Sequence, residues 1–153
     1  MAADTLLNDF ELPFQLYDVL GTETLTEHSK FSEHSRETFD AVLETANKIA
    51  TDLFLPHNHI ADKDEPQFDG KKVSMISDVK VAFDAFRESG FIAGRYSFED
   101  GGMQLPETVM TAVAGYFMAA NPSTTAYPFL TTAAINVISH FASEEIKAAF
   151  MPR

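Results

Sequence analysis

The sequence predicts an all-α fold, a bundle of about five to six helices. Three observations carry that expectation. Apolar residues recur at three- and four-residue steps through most of the chain. Apart from a proline-broken run at 10–16, no segment alternates apolar and polar residues in steps of two. The seven glycines and seven prolines fall mostly between the periodic segments.

Phe10, Leu12, Phe14 and Leu16 alternate like a strand, but Pro13 sits inside the run and demotes that reading. Phe14, Tyr17 and Leu20 step by three, and Leu16 pairs with Leu20 at four. This predicts a short helix over 13–20, opened by Pro13 and ended by Gly21. From 33 to 54 the pattern is stronger. Phe39, Val42, Leu43, Ala46, Ile49, Ala50, Leu53 and Phe54 form one stripe, with Glu44, Asn47, Lys48 and Thr51 on the wet side. Pro56 is expected to stop this helix, because the residue before a proline avoids the helical region. Residues 56–72 are polar, with two prolines and a glycine, and read as a surface loop.

A second long helix is predicted over 77–89. Ser77 or Asp78 caps it, Val79, Ala82, Phe83 and Phe86 face the core, and Gly90 takes the left-handed position after its end. A loop with Gly101-Gly102 follows. Pro106 opens the next helix, Glu107 complements its dipole, and Val109, Val113, Tyr116, Phe117 and Ala120 line its face. Asn121-Pro122 breaks the chain and Ser123 restarts it into a helix to about 141. Phe129, Leu130, Ala133, Ala134, Val137, Ile138 and Phe141 make that helix apolar nearly all round, which predicts burial between other elements. Ser143 caps a last short helix with Glu144 and Glu145 in its first turn, and Pro152 ends it.

The chain's 153 residues suit one domain, and 45% hydrophobic against 22% charged residues is the balance of a packed core. With 23 acidic and 11 basic side chains the net charge is -12, a field that repels phosphate backbones and argues against nucleic acid as a partner. The absence of cysteine excludes disulfides, thiolate metal sites, iron–sulfur clusters and a thiol nucleophile, and fits a reducing compartment. The acidic start lacks the order of a signal peptide. The longest apolar stretch, 126–138, falls short of the roughly 20 residues of a membrane span. A cytoplasmic location without a membrane span is the expectation.

Candidate constellations are sparse. His57, His59, Asp62, Asp64 and Glu65 are donors in one polar stretch, but neither strand nor helix is predicted to aim them, so they read as a solvated loop rather than a metal site. No Glu-x-x-His pair of a helical di-iron site occurs. His34, Ser35 and Glu37 lie too close together on a helix to build a triad. His140 reads as a core histidine bonded to a carbonyl in preference to a general base. Glu99 and Asp100 before Gly101-Gly102 disfavour a phosphate cradle, and the pair reads as a tight turn where two backbone segments approach. The residues alone supply no catalytic machinery.

One stretch adds a resemblance. Arg87-Glu88-Ser89-Gly90-Phe91, then Glu99, Gly101-Gly102-Met103 and Leu105-Pro106, resemble the N-terminal helical domain of acyl-CoA dehydrogenases. The closing SEEIKAAFMPR is similar to that family's helix at Lys147, Phe150 and Pro152. Ser97, Asp100, Gln104 and Ala142 depart from the family pattern, as in a divergent branch. FQLYDVL is similar to the lead-in of the family's longer members.

The resemblance implies a lead-in over 1–32 and the helical domain over 33–153. The middle β-domain and C-terminal helical domain, with most flavin contacts and the catalytic glutamate, would lie outside this sequence. No catalytic residue is therefore expected in this chain, which alone should be inactive. The whole enzyme would use FAD to convert an acyl-CoA thioester to the trans-2-enoyl-CoA. Its glutamate removes the α-proton while the β-hydrogen leaves as hydride to the flavin. Electron-transfer flavoprotein or a similar acceptor, and assembly as a homodimer or tetramer, belong to the same expectation. In the family the helix matching 123–141 walls the acyl pocket, which points to Thr125, Phe129 and Ala133, four apart on one face. Phe129 stands where some medium-chain members carry a smaller or polar side chain, so it is expected to shorten the pocket; plain core packing is the competing reading. Two readings from other classes are a free-standing, non-catalytic helical interaction module and, last in rank, a metal-binding bundle built on His57 and His59. The enzyme reading also expects exposed apolar surface on the chain alone.

Overall fold

Ser35 opens the first long helix: its backbone is extended and its side chain accepts from the Thr38 N–H. That helix, α2 (Arg36–Ile49), buries Phe39, Val42, Leu43 and Ala46 on the predicted stripe. The structure is a computed structural model that describes residues 6–151. Before α2, α1 (Glu11–Pro13) continues into a wider π-helical turn over Phe14–Val19, and Gly21 ends it at φ 58°. Stretches of 3-10 helix over Thr22–Glu27 and Ser29–Phe31 lead to Ser35. After α2 the coil widens to π geometry over Ala50–Phe54, which turns Phe54 fully into the core.

The remaining elements are α3 (Asn58–Lys63), an antiparallel ribbon of β1 (Gln67–Phe68) and β2 (Val73–Ser74), α4 (Ser77–Glu88), α5 (Glu107–Ala120), α6 (Pro122–Phe141) and α7 (Glu144–Phe150). In the ribbon Gln67 faces Ser74 and Phe68 faces Val73. Helices α2, α4 and α5 enclose the core. Phe117 of α5 sits at its centre. Its ring lies edge-on at 4.8 Å from Phe54, 4.8 Å from Phe86 and 6.0 Å from Phe91.

Several expectations need correction. Residues 56–72 are not one loop, because the chain runs through Pro56 in a 3-10 turn (Leu55–His57) into α3 and then the ribbon. His57 is not solvated. It is 1% exposed, with Nδ1 2.8 Å from the Leu53 carbonyl and Nε2 2.8 Å from the Thr124 hydroxyl. A carbonyl only accepts, so Nδ1 carries a proton and donates to Leu53. Asn121 joins the same junction, donating to the Phe54 carbonyl at 3.1 Å while its side-chain oxygen caps α6 through the Thr124 N–H. The α6 helix thus begins one residue earlier than predicted, with Asn121 as cap and Pro122 first.

Neither Ser77 nor Asp78 caps α4, whose cap position is Ile76 with no side-chain bond. Pro106 precedes α5 as its cap rather than opening it. His140 bonds the Asn136 carbonyl as predicted, at 2.9 Å, but on the surface rather than in the core. Gly90 is left-handed at φ 82° and Ser143 caps α7, both as read from sequence. The predicted stop at Pro152 lies outside the described residues.

The largest correction concerns α6. Only Thr124, Thr125 and Pro128 are buried, while Leu130, Val137 and Phe141 are largely exposed. One side of the helix packs on α4, α5 and the 3-10 turn Phe91–Ala93; among the described residues nothing covers the other.

The lead-in is held to α2 by a small polar cluster. Tyr17 is buried with Leu16, its hydroxyl donates to Asp40 at 2.5 Å, and the Arg36 guanidinium lies 4.0 Å over its ring. Burial first, then the bond and charge of Asp40, push the phenol well above its usual value, so it stays an O–H donor. Arg36 also reaches Glu23 at 3.4 Å. Tyr17→Phe is expected to lower stability by about 1 kcal/mol, since the freed Asp40 carboxylate can still reach water. Paired urea unfolding curves check this, and an unchanged midpoint would show the bond to be idle.

Candidate functional site

A cleft of about 300 Å³ opens between α5, α6 and the Phe91–Ala93 turn. Phe86, Phe91, Met110, Val113, Ala114, Phe129 and Ala133 supply its apolar lining, and Arg95, Glu107, Thr132 and Asn136 supply polar groups. The volume is at the lower end for a small-molecule site. Two of the three residues implied as pocket wall therefore meet there: Phe129, half-buried, and Ala133. Thr125 does not join them. It is fully buried one turn earlier, its hydroxyl shared between the carbonyls of Asn121 at 2.7 Å and Phe117 at 2.9 Å. That bonding fastens the start of α6 to α5 and leaves Thr125 no free polar atom.

The loop 94–105 brings Arg95 to the cleft. Gly102 donates to the Ser97 carbonyl at 2.8 Å, Gln104 to Tyr96 at 2.8 Å and Leu105 to Gly94 at 2.9 Å, folding the loop back on itself. The expected close approach at the glycine pair falls on Gly102, where a Cβ would stand 2.2 Å from the Tyr96 carbonyl oxygen. Gln104 is left-handed at φ 51°, a conformation that favours glycine. Its side chain donates to the Lys30 carbonyl, and its own carbonyl is 3.1 Å from His34 Nε2.

Arg95 Nε donates to Glu107 at 2.5 Å, and the Tyr96 hydroxyl donates to Asn136 Oδ1 at 2.5 Å. Burial raises the Tyr96 phenol, which stays protonated as that donor. Sequence reading missed Arg95, Tyr96 and Asn136 and gave Glu107 only a dipole role. Their separations of 12 and 40 positions carry no local signal.

The other constellations do not assemble. His57 is spent on its two bonds, His59 is exposed on α3, and among the described residues no three His, Asp or Glu side chains converge as a metal site. Ser35 serves as a helix cap. Among the described residues no helix is long and apolar enough to cross a membrane.

The helical fold agrees with the sequence comparisons. Residues 36–153 match the N-terminal domain of acyl-CoA dehydrogenases, and the chain belongs to that family as its N-terminal domain. It is similar to 3-methylmercaptopropionyl-CoA dehydrogenase of Ruegeria pomeroyi, 27% identical over 80% of this chain and 21% of the relative. It is also similar to a broad-specificity linear acyl-CoA dehydrogenase of Mycobacterium tuberculosis, 26% identical over 88% of this chain and 22% of the relative. Butyryl-CoA dehydrogenase of Syntrophomonas wolfei is 28% identical over 76% of this chain and 20% of its own length. The chain thus spans about a fifth of these relatives.

FAD is consistent with the family, but the lining of this cleft does not fit its diphosphate. A dinucleotide diphosphate needs a cradle of cations or backbone donors. The cleft's one cation, Arg95, is already paired with a carboxylate.

Proposed function

We propose that this chain walls the acyl pocket of a full-length, FAD-dependent acyl-CoA dehydrogenase that forms a trans-2-enoyl-CoA. The cleft supports this reading: an apolar slot on the helix the family resemblance points to, with Phe129 and Ala133 in its lining. The domain would run over 33–153 with 1–32 as a lead-in. The flavin site and the catalytic glutamate would come from segments outside this sequence. Transfer of electrons to an electron-transfer flavoprotein, assembly as a homo-oligomer and a cytoplasmic location complete the proposal.

Phe129 sets the usable length of the slot in this reading. Phe129→Ala in the full-length enzyme is expected to raise kcat/KM for longer acyl-CoAs relative to shorter ones by about tenfold or more. An unchanged chain-length preference would return Phe129 to plain packing.

The exposed apolar side of α6, with Leu130, Val137 and Phe141, favours a second reading as an interaction module covered by another surface. Acyl-CoA turnover by the full-length protein separates the two. Its absence would leave the module.

A further inference from the structure

Gly94 and Met110 meet beside the cleft in a contact that only glycine permits. Gly94 is buried at the end of the Phe91–Ala93 turn, and its carbonyl accepts from the Leu105 N–H at 2.9 Å. Its backbone is helical, at φ -54°, a conformation open to any residue, so no backbone strain asks for glycine here. Met110 of α5 asks for it. A Cβ on Gly94 would stand 2.7 Å from the Met110 Sδ and 2.8 Å from its Cε, whereas the nearest backbone atom, the Phe91 carbonyl oxygen, lies at 3.4 Å.

Met110 is buried and lines the cleft. Its thioether ends an unbranched side chain with three rotatable bonds, so it can move where backbone cannot. Packing sets the direction of that move. Phe86, Phe91 and Val113, which line the cleft with it, are buried core residues, and a close-packed core does not yield. The open space beside Met110 is the cleft itself, about 300 Å³. A thioether pushed off Gly94 therefore enters the cleft. Elsewhere the two helical walls are shallow, with Ala114 on α5 and Ala133 on α6.

We propose that Gly94 is a positioning residue for substrate width: by seating the Met110 thioether it keeps the cleft open to methyl-branched acyl chains as well as straight ones. Phe129 limits the length of the acyl group, and the Gly94–Met110 pair limits its breadth. The substrate class is then acyl-CoA of either shape. The proposal rests on the reading that the cleft houses the acyl chain.

The test uses the full-length enzyme, a straight acyl-CoA and its methyl-branched counterparts, with the branch at each carbon beyond the β-carbon. The unaltered enzyme is expected to turn over straight and branched substrates alike. Gly94→Ala is expected to fold and to lower the branched-to-straight ratio of kcat/KM by about tenfold or more at one branch position at least. Adding Met110→Ala removes both obstructing atoms and restores the ratio, a coupling that general loss of packing does not produce. Failure of Gly94→Ala to fold would mean that the thioether has no outlet in the cleft, and it overturns the proposal. Rejection of every branched substrate by the unaltered enzyme, a ratio unmoved by Gly94→Ala, or one that Met110→Ala does not restore overturns it too. In each of these cases turnover of the straight substrate leaves the acyl-pocket reading intact. No turnover of any substrate removes that reading and this proposal with it.

Discussion

Phe117→Ala is expected to remove about 3–5 kcal/mol of folding stability. The ring is fully buried, and three other aromatic rings, Phe54, Phe86 and Phe91, lean on it edge-on. Truncation removes the transfer energy of the ring and leaves a cavity that three stiff neighbours cannot close. Each aromatic pair adds about 0.5–1.5 kcal/mol beyond burial, but these terms share one ring and do not sum. The loss is a large part of the roughly 5–15 kcal/mol that holds an ordinary domain together. Phe86 and Phe91 also line the cleft, so the same change loosens its wall. Phe117→Leu keeps most of the volume and is expected to cost about 1.5 kcal/mol. Urea unfolding of the two variants checks both numbers. Equal losses would mean that ring packing is not what the position supplies.

The core was legible because α2, α4 and α5 each carry an apolar stripe on one face, and their buried residues follow it. Gly90 and the Asn121-Pro122 pair were legible because left-handed backbone and a cap followed by proline each have a residue signature. The π turn at Ala50–Phe54 was not, since Ala50, Leu53 and Phe54 keep the three- and four-residue steps that a regular α-helix also gives. His57 was misread because its neighbours in sequence are polar, whereas its bonding partner is Thr124, 67 positions away. Hydrophobicity all round α6 reads as burial from sequence, yet burial depends on what covers a helix, and the described residues cover one side.

The site was legible in part and through the resemblance. Phe129 and Ala133 line the cleft, while Thr125 shares their helical face but sits where α6 is still fastened to α5. A face is a direction, and a cleft also has a beginning along the axis. The polar groups of the cleft were invisible because Arg95 meets Glu107, and Tyr96 meets Asn136, only after the 94–105 loop folds back.

Gly102 controls that fold-back, and Gly102→Ala is expected to cost about 3 kcal/mol. An alanine Cβ would stand 2.2 Å from the Tyr96 carbonyl oxygen and 2.5 Å from that of Ala93, both backbone atoms that no side-chain rotation can clear. The loop has to open, which strains the Gly102–Ser97, Gln104–Tyr96 and Leu105–Gly94 hydrogen bonds and pulls on the buried Leu105. Gly101 is the internal control. It is left-handed at φ 77°, but nothing lies within 4 Å of its missing Cβ, so Gly101→Ala meets the backbone penalty alone, about 1 kcal/mol. Adjacent glycines thus serve different physical ends, one a conformation and the other an approach. Urea midpoints of the two single variants separate them. Equal losses would show that the close approach is not what Gly102 provides.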